Sequence, residues 1–339
     1  MNNVSVHTID YHTGGEPFRI VAAPPVKILG DTVANRRVFA MNDPEVDGLR
    51  KLLCFEPRGH ADMYGGLITP PDDAGAHFGV LFWHKDGFST ACGHGTIALG
   101  VWAIESGLVA IDPSGITNVV IDVPSGRVTA RVHTEGTQVV GVDFVNVASY
   151  LMHRDVPVQT SMGELTVDVS FGGAIYAQLD AAKVGLTVTP EDYSRVIAIG
   201  REIKWALNDT EFAKHPSDDR LSGIYGTIVF ESLGTAADGT KLQRNATIFA
   251  DGELDRSPCG SGTCARLATL VGRGELAIGE RLTHDSIVNS RFIGVATEAV
   301  SAEGFDAVMP TVSGMAYKTG ESTFTVDPRD PLTPGFVLR

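Results

Sequence analysis

The chain has 339 residues, 43% hydrophobic and 20% charged, the proportions of a globular protein with enough apolar surface for one large domain or two. Its formal net charge of −14 provides no basic stripe for nucleic acid, and no apolar run approaches membrane-spanning length. Residues 1–17 contain neither a basic n-region nor an apolar stretch, so no leader is expected; Cys54, Cys92, Cys259 and Cys264 then read as thiols in a reducing cytoplasm.

In chain order, a first helix is predicted from Asp43-Pro44, with proline in the first helical position and Leu49, Leu52 and Leu53 on its apolar face. Runs rich in Val, Ile, Thr and Phe predict strands at His77–His84, Thr117–Pro124, Gly126–His133, Thr137–Asn146 and Glu164–Gly172. A hairpin turn is placed on Ser125-Gly126. A longer helix is predicted from Thr189-Pro190-Glu191-Asp192, with Thr189 as its cap and Asp192 reciprocating, through Val196, Ile197, Ile199, Ile203 and Leu207. Two more helices follow cysteine motifs. Strands without regular βαβ alternation indicate an α+β fold.

The most informative feature is a duplication. Cys92-Gly93-His94-Gly95-Thr96 and Cys259-Gly260-Ser261-Gly262-Thr263 share the pattern C-G-x-G-T, 167 residues apart. The register continues, with Ala98 matching Ala265, Val101 matching Ala268, Ile104 matching Val271 and Gly107 matching Gly274. A weaker echo links Gly14-Gly15 with Gly172-Gly173. Two related halves, each bringing a cysteine to the start of a helix, are expected to place two thiols across a cleft.

A cysteine at such a turn gains three properties. The positive end of the helix dipole favours thiolate, the first-turn N–H groups can hold an anion, and glycine lets that anion approach closely. Two such turns gripping one carboxylate would suit proton abstraction at the adjacent Cα, with Cys92 and Cys259 as acid/base groups on opposite faces. Asp255, four residues before Cys259, is a candidate partner for a substrate ammonium, and His94 is a second. No cofactor and no metal is called for by this chemistry.

These residues resemble the proline racemase family, which includes hydroxyproline 2-epimerases and trans-3-hydroxy-L-proline dehydratases. The likeness runs from His12-Thr13-Gly14-Gly15-Glu16-Pro17 through residues 56–70, 91–100, 172–174 and 249–268 to the terminal Gly-Phe-Val-Leu-Arg. It implies two similar halves of the diaminopimelate-epimerase kind with the active site in the cleft between them. The halves are expected at 1–150, carrying Cys92 and completed by a C-terminal strand at 325–339, and at 151–324, carrying Cys259. The resemblance assigns Cys92 and Cys259 as catalytic thiols. It assigns the amides of Gly93, His94, Gly260 and Ser261 to a carboxylate, Asp255 to an amine, and Phe249 to the wall of a ring pocket. Within the family the Cys pair favours racemisation or epimerisation of proline or a hydroxyproline. Residues 56–65, 91–100 and 249–258 look instead like the dehydratase branch, which keeps the first cysteine and typically has threonine at the position of Cys259.

Other motifs read as structural. Cys54 and Cys264 fit small buried hydrophobes. The histidines lack zinc spacing, and Gly260-x-Gly262-x-x-Ala265 lacks the βαβ context of a dinucleotide site. Glu16 and Arg19 are expected to be structural. The expected partner is a small-molecule substrate, proline or hydroxyproline, with neither nucleic acid nor membrane, in a possible homodimer. A non-catalytic amino-acid-binding protein is the alternative from another class.

Overall fold

The computed structural model describes residues 5–338, so residues 1–4 of the stretch read for a leader, and residue 339 at the end of the 325–339 segment, lie outside the described residues. The strands of the first part of the chain are β1 (Ser5–Thr13), β2 (Glu16–Val21), β3 (Gly65–Thr69), β4 (Phe78–His84), β5 (Gly87–Phe88), β6 (Ile116–Val123), β7 (Gly126–Glu135), β8 (Gln138–Val145) and β9 (Ser149–Thr160). They are followed by β10 (Gly163–Phe171), β11 (Ile175–Asp180), β12 (Ile224–Thr235), β13 (Lys241–Phe249), β14 (Glu253–Leu254), β15 (Arg281–Ser286), β16 (Arg291–Ala302), β17 (Phe305–Gly314) and β18 (Ala316–Thr325). The α-helices are α1 (Val33–Asn42), α2 (Pro44–Cys54), α3 (Gly93–Glu105), α4 (Tyr193–Asn208) and α5 (Gly260–Gly272). No helix of the described residues is long and apolar enough to cross a membrane.

The chain divides into two compact units: Gly141–Gly314, and the described residues before and after that stretch. In the first unit, β1 pairs antiparallel with β18 and with β2; β2 runs parallel to β3, β3 antiparallel to β4, β4 parallel to β6, and β6 antiparallel to β7. The second unit repeats this strand for strand. There β10 pairs antiparallel with β9 and β11, β11 runs parallel to β12, β12 antiparallel to β13, β13 parallel to β15, and β15 antiparallel to β16. The short strands β5 and β14 hang on β4 and β13 in the same way. The fold is therefore a mixed α+β architecture of two similar halves. In the second unit the circle closes, because β17 pairs with β16 and also with β9.

Each parallel pair needs a crossover, and helices supply it. The α1–α2 segment links β2 to β3 and α4 links β11 to β12; α3 links β4 to β6 and α5 links β13 to β15. The helices α3 and α5 have little polar surface. Residues Gly93–Ile104 and Gly260–Leu270 are buried without a break, as a helix wrapped by sheet on all sides requires. By contrast α4 buries one stripe, Val196, Ile199, Ile203 and Leu207, against the core that includes Ile175 and Ile248. A Cβ on Gly200 would lie 2.7 Å from Ile248 Cδ1, so glycine there lets α4 sit close on β13.

The α2 helix starts where predicted, with Asp43 accepting from the amides of Glu45 and Val46 and proline in the first turn. The α4 start differs from its prediction. Residues Pro190–Asp192 form a 3-10 turn, Thr189 makes no side-chain cap, and the helix proper begins at Tyr193. Asp192 instead accepts from the amide and hydroxyl of Thr187. The hairpin turn lies one residue earlier than predicted, on Pro124-Ser125, because Gly126 at φ +135° still pairs with Val123. The strand that returns to β1 is Ala316–Thr325; beyond it the described residues hold only an isolated bridge between Glu56 and Phe336.

Candidate active site

In the first unit, the chain leaves β5 and enters α3 at Cys92, the N-cap, with extended backbone at φ −156°. Its Sγ accepts the amide of Gly95 at 3.2 Å, and the carbonyl of Cys92 accepts both the amide and the hydroxyl of Thr96. A sulfur thus fills the capping role usually taken by a Ser or Asp oxygen. A Cβ on Gly95 would lie 2.8 Å from that sulfur and 2.4 Å from Phe18, which explains the second glycine of the motif. The His94 ring nitrogens lie 3.4 and 3.7 Å from Cys92 Sγ, and the ring is held edge-on against Tyr64 and Phe18. Thr13 donates to the His94 carbonyl, tying the Gly-Gly turn between β1 and β2 to the start of α3.

In the second unit, β14 leads through residues 255–258 to Cys259, the N-cap of α5. Its Sγ accepts from Gly262 at 3.3 Å, repeating the bond made by Cys92. The backbone differs, since Cys259 sits at φ +60° and ψ +107°, a conformation costly for a residue with a Cβ. The surrounding groups hold it there. Ser257 Oγ accepts the Cys259 amide, the Asp255 carboxylate accepts from Ser257, and Asn245 and Thr263 both donate to the Pro258 carbonyl. Asp255 is itself buried, at 3% exposure, and its amide donates to Thr247. Burial raises its carboxyl pKa above the ordinary carboxylate value, against the bonds from Ser257. Burial and then the neighbouring Asp255 charge push the Cys259 thiol up, which favours the protonated form at rest.

Tyr176, wholly buried on β11, places its hydroxyl 2.7 Å from Ser261 Oγ and 3.9 Å from Cys259 Sγ. Phe249 ends β13 with its ring stacked on Tyr225 and 2% exposed. The amides of Gly93 and His94, and those of Gly260 and Ser261, occupy the first two positions of their helices, where no acceptor exists one turn back. A helix start of this kind can hold an anion, and in each unit it lies beside a thiol.

A family model described as proline racemase matches residues 8–337. The chain belongs to the proline racemase family. It is 44% identical over 331 residues to a trans-3-hydroxy-L-proline dehydratase of Bacillus thuringiensis subsp. konkukian, covering 98% of this chain and 97% of the relative. It is 43% identical over 336 residues to a 3-hydroxyproline 2-epimerase of Burkholderia multivorans, covering 99% and 98%. Among solved structures, a hydroxyproline epimerase from Agrobacterium vitis with bound trans-4-hydroxy-L-proline matches with a TM-score of 0.90 at 30% identity, covering 98% of this chain and 96% of the other.

For this proline racemase family member, the residues expected around Cys259 gather within the second unit: Asp255, Gly260 and Ser261 all adjoin the thiol turn. Sequence reasoning missed Tyr176. A signal was available, because extending the Gly-Gly echo by three places aligns Phe18 with Tyr176, and each ring packs on its own helix start. The aligned pair differs by one hydroxyl, which gives Cys259 a polar neighbour where Phe18 offers only a ring edge to His94. Arg19 and Cys264 are both held inside the fold. Arg19 is bound to Asp10 and to the carbonyls of Leu53 and Arg58, and burial pushes the Cys264 thiol up to about 12.

Proposed function

We propose that this enzyme removes the C2 proton of trans-3-hydroxy-L-proline and expels the 3-hydroxyl as water, without a cofactor. The observation that carries the substrate is the full-length similarity, at 43–44% identity, to relatives named trans-3-hydroxy-L-proline dehydratase or 3-hydroxyproline 2-epimerase. In trans-3-hydroxy-L-proline the hydroxyl is opposite the carboxylate, so C2–H and C3–OH lie on one ring face. A single thiolate on that face takes the C2 proton; the C–H electron pair becomes the C2=C3 bond, and the new thiol protonates the departing hydroxyl. The enamine product then tautomerises to a pyrroline-2-carboxylate.

Cys92 is the group assigned to that face. Cys259, raised by burial and Asp255, serves as a resident acid rather than the resting base. The helix-start amides of Gly93, His94, Gly260 and Ser261 stabilise charge developing on the substrate carboxylate, Asp255 receives the ammonium, and Phe249 walls the ring. The second cysteine favours a second reading. A thiol on the opposite face can return a proton to C2 before hydroxide leaves, which gives 3-hydroxyproline 2-epimerisation.

Proton NMR in D₂O with trans-3-hydroxy-L-proline, trans-4-hydroxy-L-proline and L-proline separates these outcomes. The proposal predicts loss of the 3-hydroxyl only, abolished by Cys92→Ser and retained by Cys259→Thr. Deuterium at C2 with inversion, the hydroxyl retained and activity lost in Cys259→Thr, would establish the epimerase instead. Full activity after alkylation of both thiols would overturn the thiol chemistry altogether.

A further inference from the structure

The second unit contains a cavity of about 270 Å³ that the proposed reaction does not use. Arg266 lines it, two turns along α5 from Cys259, and is 3% exposed. Its guanidinium carbon lies over the Phe230 ring, 3.6 Å from the centroid. Nε donates to Gln243 Oε1 at 2.9 Å and Nη1 donates to Gln178 Oε1 at 3.1 Å. Gln178 is fixed in turn by its Nε2, which donates to Thr269 Oγ1 at 2.7 Å. Among the described residues nothing accepts from Nη2, and no carboxylate forms an ion pair with Arg266. A buried guanidinium is normally matched by a carboxylate, because its charge is costly to desolvate. Here burial lowers the guanidinium pKa to about 10, which leaves it charged near neutral pH.

The acids on the cavity wall are largely engaged elsewhere. Asp155 and Asp168 both bind Arg273, and Glu275 pairs with Lys241. Asp180 uses one oxygen to accept the Ala182 amide and forms no ion pair among the described residues. Lys183, also on the wall, donates to Thr166 rather than to an acid. The wall carries four cations (Lys183, Lys241, Arg266 and Arg273) and four acids (Asp155, Asp168, Asp180 and Glu275), so it is formally neutral. A neutral wall with one buried guanidinium that no carboxylate pairs suits a single negative charge and disfavours a doubly charged anion. A planar fork oriented by two glutamine amides, one of them anchored on Thr269, and by an aromatic face is the geometry that recognises a carboxylate.

We infer that Arg266 is the centre of a second ligand site, which binds a small monocarboxylate. Two sources share this chemistry, a simple carboxylate anion and an amino-acid zwitterion whose ammonium is received by Asp180. The site lies on α5 and β11, the elements that hold Cys259 and Tyr176, but it is distinct from the thiol turn.

The test is calorimetric titration of the full-length protein, with its reactive thiols carboxamidomethylated, using acetate, glycine and inorganic phosphate as probes. Arg266→Lys keeps the charge but removes the fork. Ser232→Trp plugs the exposed rim of the cavity without touching Arg266 and guards against a folding defect. The expected result is millimolar binding of acetate or glycine, weakened at least tenfold by Arg266→Lys and lost in Ser232→Trp. Glycine binding more tightly than acetate would identify the zwitterion, and the reverse would identify the simple anion. No binding of either probe, binding unaffected by both substitutions, or phosphate binding more tightly than both carboxylates would overturn the inference.

Discussion

Replacing Asp255 by Asn probes the second thiol turn most directly. The substitution keeps an oxygen to accept from Ser257 and removes only the charge. Burial raises the Asp255 carboxyl from 3.8 to about 6, so the folded protein binds its proton more tightly than the unfolded chain does. The sign follows. Between about pH 4 and pH 6 the native state holds more protons, so this group's contribution to stability falls as pH rises through that window and is constant above it. Two pKa units correspond to about 3 kcal/mol. The Asn variant should therefore match wild type near pH 4 and exceed it by up to about 3 kcal/mol above pH 6. Denaturant midpoints across that range give the difference directly, and taking a difference cancels every other titrating group. A second readout is the pH profile of iodoacetamide alkylation at Cys259, in a Cys92→Ser background. Removing the neighbouring charge should move it to lower pH. A flat stability difference between pH 4 and 6, or an alkylation profile that moves upward, would refute the electrostatic account of this turn.

Three further outcomes are expected. Tyr176→Phe removes a hydroxyl that favours the Cys259 thiolate, so the same alkylation profile should move to higher pH, opposite to Asp255→Asn. Gly172→Ala would put a Cβ 2.5 Å from the Ser261 carbonyl oxygen and 2.8 Å from the Ala265 amide, neither of which can swing away. It should cost about 1–3 kcal/mol in denaturant unfolding, whereas Gly141→Ala, with nothing within 4 Å, should change stability by less than about 0.5 kcal/mol. Burial holds His284 neutral, with its pKa lowered to about 3, while the unfolded chain takes up that proton near 6.5. Stability is then lost as pH falls from about 6.5 toward 3, at up to about 1.4 kcal/mol per pH unit. A His284→Gln variant should show a shallower acid limb.

The duplicated cysteine turns were legible because their glycines are sterically required. Gly95 and Gly262 each lie where a Cβ would meet the capping sulfur, so the motif survives in both halves. The predicted strands were legible for a similarly local reason, the β-branched runs at residues such as 117–123 and 164–171. The strand-for-strand repetition was not, because a strand signals only its alternation and neither its partner nor its direction. The α1 helix was missed, since only Val33, Arg36 and Ala40 are buried along it and one of these is charged. The left-handed backbone of Cys259 was also hidden. The two motifs read alike, and the difference arises upstream, where Ser257 and Asn245 fix the loop.

The partner of β1 has a consequence for how the molecule is made. One edge of β1 pairs with β2 at once, but its other edge pairs with β18, which is synthesised after every other described strand. The continuous stretch Gly141–Gly314 has all its strands available before β18 emerges. Vectorial synthesis usually favours the N-terminal domain first; here the order is reversed, and the nascent N-terminal unit waits with an open strand edge that a second chain could occupy. Premature termination after residue 314 would yield a chain whose second unit is complete and whose first unit is permanently missing its outer strand.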